Sequence, residues 1–140
     1  MKIVFAADGS KYTKKALAFL VTHESLAGPD GEVVVLNVQA PVPNRVKSML
    51  GSGEVNAYYA DESQKVLAPI ERFLTRHKIA FRIAPTVGSP SAEILRTAKR
   101  EKAHMIVMGT HGHGLFGRVV MGSVAQRVVT DSEIPVLLVK

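Results

Sequence analysis

Cysteine is absent from the 140 residues. The chain can therefore carry neither a disulfide framework nor a thiolate metal site, and its stability and chemistry come from other groups. That composition fits a reducing compartment. Long apolar runs are also missing: the longest hold about four to eight residues, far below the ~18 to 20 that cross a bilayer, and no membrane association is expected. In the opening Met1-Lys2-Ile3-Val4-Phe5-Ala6-Ala7-Asp8 an acid breaks the apolar run too early for a signal-peptide core, and no cleavage site comes after it. A cytoplasmic location is the expectation. There is no G-x-x-x-x-G-K-[ST], which excludes a P-loop NTPase. There is no G-x-S-x-G elbow and no paired-carboxylate arrangement, so hydrolytic chemistry lacks a candidate nucleophile and base.

Acidic residues are in deficit: 12 Asp and Glu stand against 18 Lys and Arg, for a formal charge of +6 and a pI near 9.8. Such a balance favours contact with anions, whether nucleic acid, anionic lipid or a phosphorylated small molecule. Charge alone does not choose among them, and nucleic acid is not expected, because the basic residues are spread over most segments rather than interleaved with exposed aromatics. The one approach to a cluster, Arg96, Lys99, Arg100 and Lys102, reads as a solvated helix face.

The hydrophobic content, 46%, suffices for one core, and the length suits one domain spanning residues 1–140. Ile3 to Ala7, Glu32 to Gln39, Ile79 to Thr86, His104 to Gly109 and Pro135 to Val139 are short runs that read as five strands, most of them buried on both faces. Helical stripes separate them: Ala16, Phe19, Leu20 and His23; then Val55, Tyr58, Tyr59, Val66, Leu67, Ile70 and Leu74; then Ile94, Leu95 and Ala98 behind Ser89-Pro90; then Val120, Val124 and Val128. Strands separated by helices are parallel and their crossovers right-handed, so the expected fold is a five-stranded, doubly wound α/β sheet of order 3-2-1-4-5 with helices on both faces. Ligands in such sheets sit beyond the carboxyl ends of the strands where the order reverses, here between strands one and four. Pro29-Asp30-Gly31 reads as a turn. Residues Ala40 to Gly53, with two prolines and two glycines, read as a mobile loop able to act as a lid.

Five of the eleven glycines fall between Gly109 and Ser123, after strand four. A glycine-rich loop that runs into a helix brings backbone amides close to a ligand and directs several N–H donors at a phosphate. A flexible connection without chemical use is the alternative, and the position at the switch point favours binding. Gly112, Gly114 and Gly117 formally match G-x-G-x-x-G. That fingerprint needs a subsequent helix and strand with an acid ~20 residues on, inside a unit that opens a larger sheet, and the chain beyond Gly117 is long enough only for one helix and one strand.

The spacing that fits is Gly109, two residues, Gly112, nine residues, then Gly122-Ser123. Together with Asp8-Gly9-Ser10, Ile106-Val107-Met108-Gly109 and Ile134-Pro135-Val136-Leu137-Leu138-Val139, it makes the chain resemble the universal stress protein family over essentially its whole length. The resemblance implies a Rossmann-like, adenine-nucleotide-binding α/β fold, usually dimeric, serving stress survival, with ATP, with or without Mg²⁺, as the ligand. Carried over by position, Gly109, Gly112, Gly122 and Ser123 would surround the ribose and phosphates and Val124 would add an amide. Ala7 and Asp8 would meet the nucleoside and Val38 the adenine, with Asn37 and Met108 as neighbours of the base or as plain packing residues.

Other readings of the same residues are weaker. Asp8 at the end of strand one suggests a phosphoryl acceptor, but a dehalogenase-like site needs an acid where Ser10 stands, and a receiver domain needs one where Thr86 and Val87 stand. A helix cap at Asp8-Gly9-Ser10 is expected alongside ligand contact. Lys11, Lys14 and Lys15 place positive charge against the helix dipole, as an anion site or as solvated lysines. His111 and His113 are better phosphate donors than metal ligands, His104 included, because no acid stands near them in the sequence; His23 and His77 read as surface residues. The last strand is an apolar sheet edge, which predicts a homodimer through Pro135 to Val139. The expected function is an ATP-binding stress protein that regulates an unknown protein partner. Slow ATP hydrolysis or self-phosphorylation, and regulation without nucleotide, are the alternatives.

Overall fold

A computed structural model describes residues 1–113 and 121–140. Five strands, β1 (Lys2–Ala6), β2 (Glu32–Gln39), β3 (Phe81–Val87), β4 (Met105–Gly109) and β5 (Val136–Val139), form one sheet of order β3-β2-β1-β4-β5. Every neighbouring pair is parallel. The doubly wound sheet and its strand order are those expected from the alternation of apolar runs.

Strand alternation divides the core in two. Ile3 and Phe5 of β1, Val33 and Val35 of β2 and Val107 of β4 face one side, where they pack with Ala16, Leu17 and Leu20 of α1 (Lys11–Thr22) and Leu67, Ile70 and Leu74 of α4 (Ser52–Arg76). Val4, Val34, Leu36, Ile106 and Met108 face the other, against Ile94 and Ala98 of α5 (Pro90–Arg100) and Ala125 and Val128 of α6 (Ser123–Asp131). Phe5 is completely buried; a side chain of that size contributes about 1.5 to 3 kcal/mol by leaving water. The two edges are different. β3 is largely exposed and β5 half-buried, so burial on both faces holds only for β1, β2 and β4. Pro85 within β3 suits an edge, since it has no N–H to give a further strand.

The expected loop is corrected. Residues Asn44–Leu50 form a helix, α3, and α4 begins at Ser52, so most of the stretch from Ala40 to Gly53 is helical. Gly51 joins the two with a φ of 83°, the left-handed conformation that glycine accepts without strain. The Val42 amide donates to the Tyr59 hydroxyl at 2.9 Å, which ties the proline-rich approach to α4. A short helix, α2 (Glu24–Ala27), also lies beyond the expectation. Val120, assigned to the last helical stripe, lies outside the described residues.

At the end of the sheet where the strands begin, four charges close on one another. Arg82 donates to Glu101 at 2.6 Å and pairs with Glu32 at 3.5 Å, while Lys2 reaches Glu32 at 3.6 Å and Glu101 at 3.5 Å. The Arg82 hydrogen bond holds the Glu101 carboxyl below its usual range, and the same bond raises Arg82. The Lys2 amide donates to Nδ1 of His104 at 2.9 Å and the His104 amide returns a bond to the Lys2 carbonyl. His104 is thus a strand-pairing residue at the end of the sheet opposite to His111 and His113. Among the described residues no helix is long and apolar enough to cross a membrane.

Candidate functional site

Between the carboxyl ends of β1 and β4, where the strand order reverses, lies a cavity of about 220 Å³. Its apolar lining includes Ala6, Leu36, Val38, Met108 and Ile94. The residues Leu36, Val38 and Met108 sit on alternate positions of their strands and so face one side of the sheet together. Its polar lining comes from Asp8, Thr13, Thr110 and Ser123, beside Gly109, Gly112 and Gly122.

α6 points its first residues into this space: Ser123, Val124 and Ala125 all line it. Gly122 is the N-cap and brings no side chain to the end of the helix. The first amides of a helix have no acceptor within it and carry the positive end of the dipole, so this end is suited to an anion.

The glycines are required by close approach. A Cβ on Gly109 would lie 2.5 Å from that of Tyr12 on α1, and one on Gly112 would lie 2.9 Å from Oδ2 of Asp8. A Cβ on Gly122 would come within 3.3 Å of both the Thr110 carbonyl and the His111 Cα. The Gly122 amide donates to that same carbonyl at 2.7 Å, which draws the two ends of the loop together.

Asp8 is held by its neighbours. Its Oδ1 accepts from the Ser10 amide at 2.9 Å and the Thr13 hydroxyl at 2.8 Å, and the Thr13 oxygen accepts from the Asp8 amide. Ser10 caps α1 through its own hydroxyl. The expected cap is present, and it leaves Oδ2 directed toward Gly112.

Of the positions singled out in the sequence, the structure brings Ala7, Asp8, Val38, Met108, Gly109, His111, Gly112, Gly122, Ser123 and Val124 around one cavity. His113 is not among them. It is exposed, and its Nε2 pairs with the Asp8 carbonyl, so the ring tethers the loop to the end of β1 rather than facing the cavity. Asn37 is also elsewhere. Its amide donates to the Ala7 carbonyl at 2.8 Å, and its Oδ1 accepts from Ser63 of α4 and from Gln39 on the face of the sheet that carries α1 and α4. The period of two along β2 predicts this, since Asn37 shares its parity with Val33 and Val35. The further lining residues Thr13, Pro90, Ile94 and Thr110 were not singled out; only packing brings α5 to the cavity, and no local pattern reports it. Among the described residues no group of three or more His, Cys, Asp or Glu side chains comes together. The cavity lining offers a cation one carboxylate, Asp8.

Strand order and cavity position define a doubly wound α/β protein with a ligand cavity at its switch point. A sequence profile of the universal stress protein family matches residues 1–140, and the chain belongs to that family. It is 31% identical over 140 residues to universal stress protein MJ0531 of Methanocaldococcus jannaschii, covering 99% of this chain and 81% of the relative. The structure of MJ0577 from the same organism superposes with a TM-score of 0.85 at 27% identity, covering 99% of this chain and 94% of that one. The Archaeoglobus fulgidus universal stress protein, solved in complex with dAMP, shares the fold with a TM-score of 0.68 at 23% identity, over 100% and 98% of the two chains.

Proposed function

We propose that this chain binds ATP in the switch-point cavity and that occupancy orders the glycine loop and alters binding of a protein partner during stress. The observation that carries the reading is the cavity's mixed lining, apolar side chains together with glycine backbone and a helix start. Its apolar lining, from Val38, Leu36, Met108 and Ile94, suits a planar base, and its polar lining presents an uncapped helix start and close-packed glycine backbone to phosphates. The dAMP complex of a family member supports the adenine assignment. Ala7 and Asp8 would meet the nucleoside, Gly109, Gly112, Gly122 and Ser123 the ribose and phosphates, and the Val124 amide an oxygen. His111, which lines the cavity, would act as a donor.

The same reading places the chain in the cytoplasm as a homodimer through residues 135–139, because β5 is a half-buried apolar edge. Calorimetric titration with ATP, and identification by mass and absorbance of any nucleotide released on denaturation, test it. Saturable binding of ATP is expected. A folded protein that neither retains nor binds an adenine nucleotide overturns it, and a monomer in light scattering at micromolar concentration overturns the dimer.

A further inference from the structure

Three lysines begin α1, at positions 11, 14 and 15, and the first turn of that helix holds no acid. Cations there oppose the helix dipole. No salt bridge among the described residues involves any of the three. Two of them are nonetheless gathered at one place: the ammonium of Lys11 lies 5.3 Å, and that of Lys15 5.6 Å, from the centre of the Tyr12 ring. The Tyr12 ring packs in turn against the His111 ring, 4.8 Å between centres, and His111 lines the cavity. Tyr12 is also the residue whose approach requires glycine at 109. A continuous path therefore leads from the cavity, over His111 and Tyr12, to two ammonium groups that pair with no acid among the described residues. Lys14, one position away, has no place in it.

We infer that Lys11 and Lys15 form an outer anion subsite that takes the terminal phosphate of a nucleotide seated in the cavity, so that the chain selects nucleoside triphosphates over monophosphates. The inference rests on the reading under Proposed function and deepens it. The α6 end and glycine backbone serve the inner phosphate; the lysines serve only a phosphate that extends beyond His111. Lysine suits this place, being a compact charge on a flexible stem with no demand for one bidentate geometry.

Calorimetric titration of the full chain with AMP, ADP and ATP tests it, comparing the wild type with Lys11→Gln/Lys15→Gln and with Lys14→Gln. The wild type is expected to bind ATP about tenfold more tightly than AMP, the scale of two exposed charge contacts. The double variant is expected to lose that preference while its AMP affinity stays within about twofold, and Lys14→Gln to retain it. Raising the salt should shrink the wild-type preference and leave the double variant unaffected. Thermal unfolding gives an independent readout: relief of the dipole conflict leaves the double variant folded and no less stable than the wild type. Equal affinity for AMP and ATP in the wild type, or a preference that persists in the double variant, overturns the outer subsite and leaves the nucleotide reading standing. Failure of the wild type to bind any of the three nucleotides overturns both.

Discussion

The two ends of the sheet are built from different materials. Where the strands begin, long charged side chains, Lys2, Glu32, Arg82 and Glu101, satisfy one another over distances of 2.6 to 3.6 Å. Where they finish, side chains give way to backbone: Gly109, Gly112 and Gly122 bring main chain against Tyr12, Asp8 and Thr110 and leave the start of α6 facing a cavity. Paired side chains leave nothing for a ligand. A backbone end that is packed and yet uncapped keeps its donors in place and available, so stability and binding are divided along the length of the strands.

That division is open to direct attack, and the largest effect is expected where packing and site coincide. Gly109→Val would drive a branched side chain into Tyr12, whose Cβ is 2.5 Å from the nearest new atom. Overpacking of this kind costs up to ~3 kcal/mol. A lower urea midpoint with unchanged slope is the expected result, and a stable variant would show that α1 can recede from β4.

Next in size is Asn37→Ala, which leaves the buried Ser63 hydroxyl and the Ala7 carbonyl without their partner. A loss of about 1 to 3 kcal/mol is expected from unsatisfied buried groups. Because Asn37 is on the face away from the cavity, ATP affinity should change little once the protein is folded.

Gly122→Val addresses binding itself. Its side chain would crowd the 110–112 backbone and occupy space at the start of α6, so at least about a tenfold loss of ATP affinity, about 1.4 kcal/mol, is expected. The strands below should remain folded by circular dichroism, with the Thr110 and His111 backbone giving way by a few tenths of an ångström to a Cβ 3.3 Å away. Arg100→Ala, on the solvated face of α5, serves as the control with affinity unchanged.

The smallest effect belongs to the charged end. Glu101 has its pKa lowered by Arg82, so its contribution is present above the unfolded carboxyl value of ~4.3 and is lost as pH falls through the lower folded value. Glu101→Gln should cost less than ~1 kcal/mol at neutral pH and narrow the difference from wild type in acid, with ATP affinity untouched. Denaturant titrations from pH 7 down to pH 3 measure it.

The sheet was legible because its signals are local. Each strand is a short β-branched run, and the caps at Ser10 and at Ser89-Pro90 fall where the helices begin. The cavity was legible because the 109–122 glycine spacing and strand order point to one place. What escaped depends on tertiary neighbours. The prolines and glycines around residues 44–50 conceal a seven-residue helix that has no buried residue and therefore no apolar stripe to announce it. His113 bonds a carbonyl 105 positions away, and Gly109 is glycine because of Tyr12, a partner that no spacing rule supplies.

The central place of β1 has a consequence for synthesis. Ile3 pairs in register with Val33 on one side and with Met105 on the other. On a ribosome, the first partner emerges 30 residues after Ile3 and the second 102 residues after it. Until then one edge of a strand carrying Ile3, Val4 and Phe5, all completely buried in the finished protein, stands open to whatever the nascent chain meets.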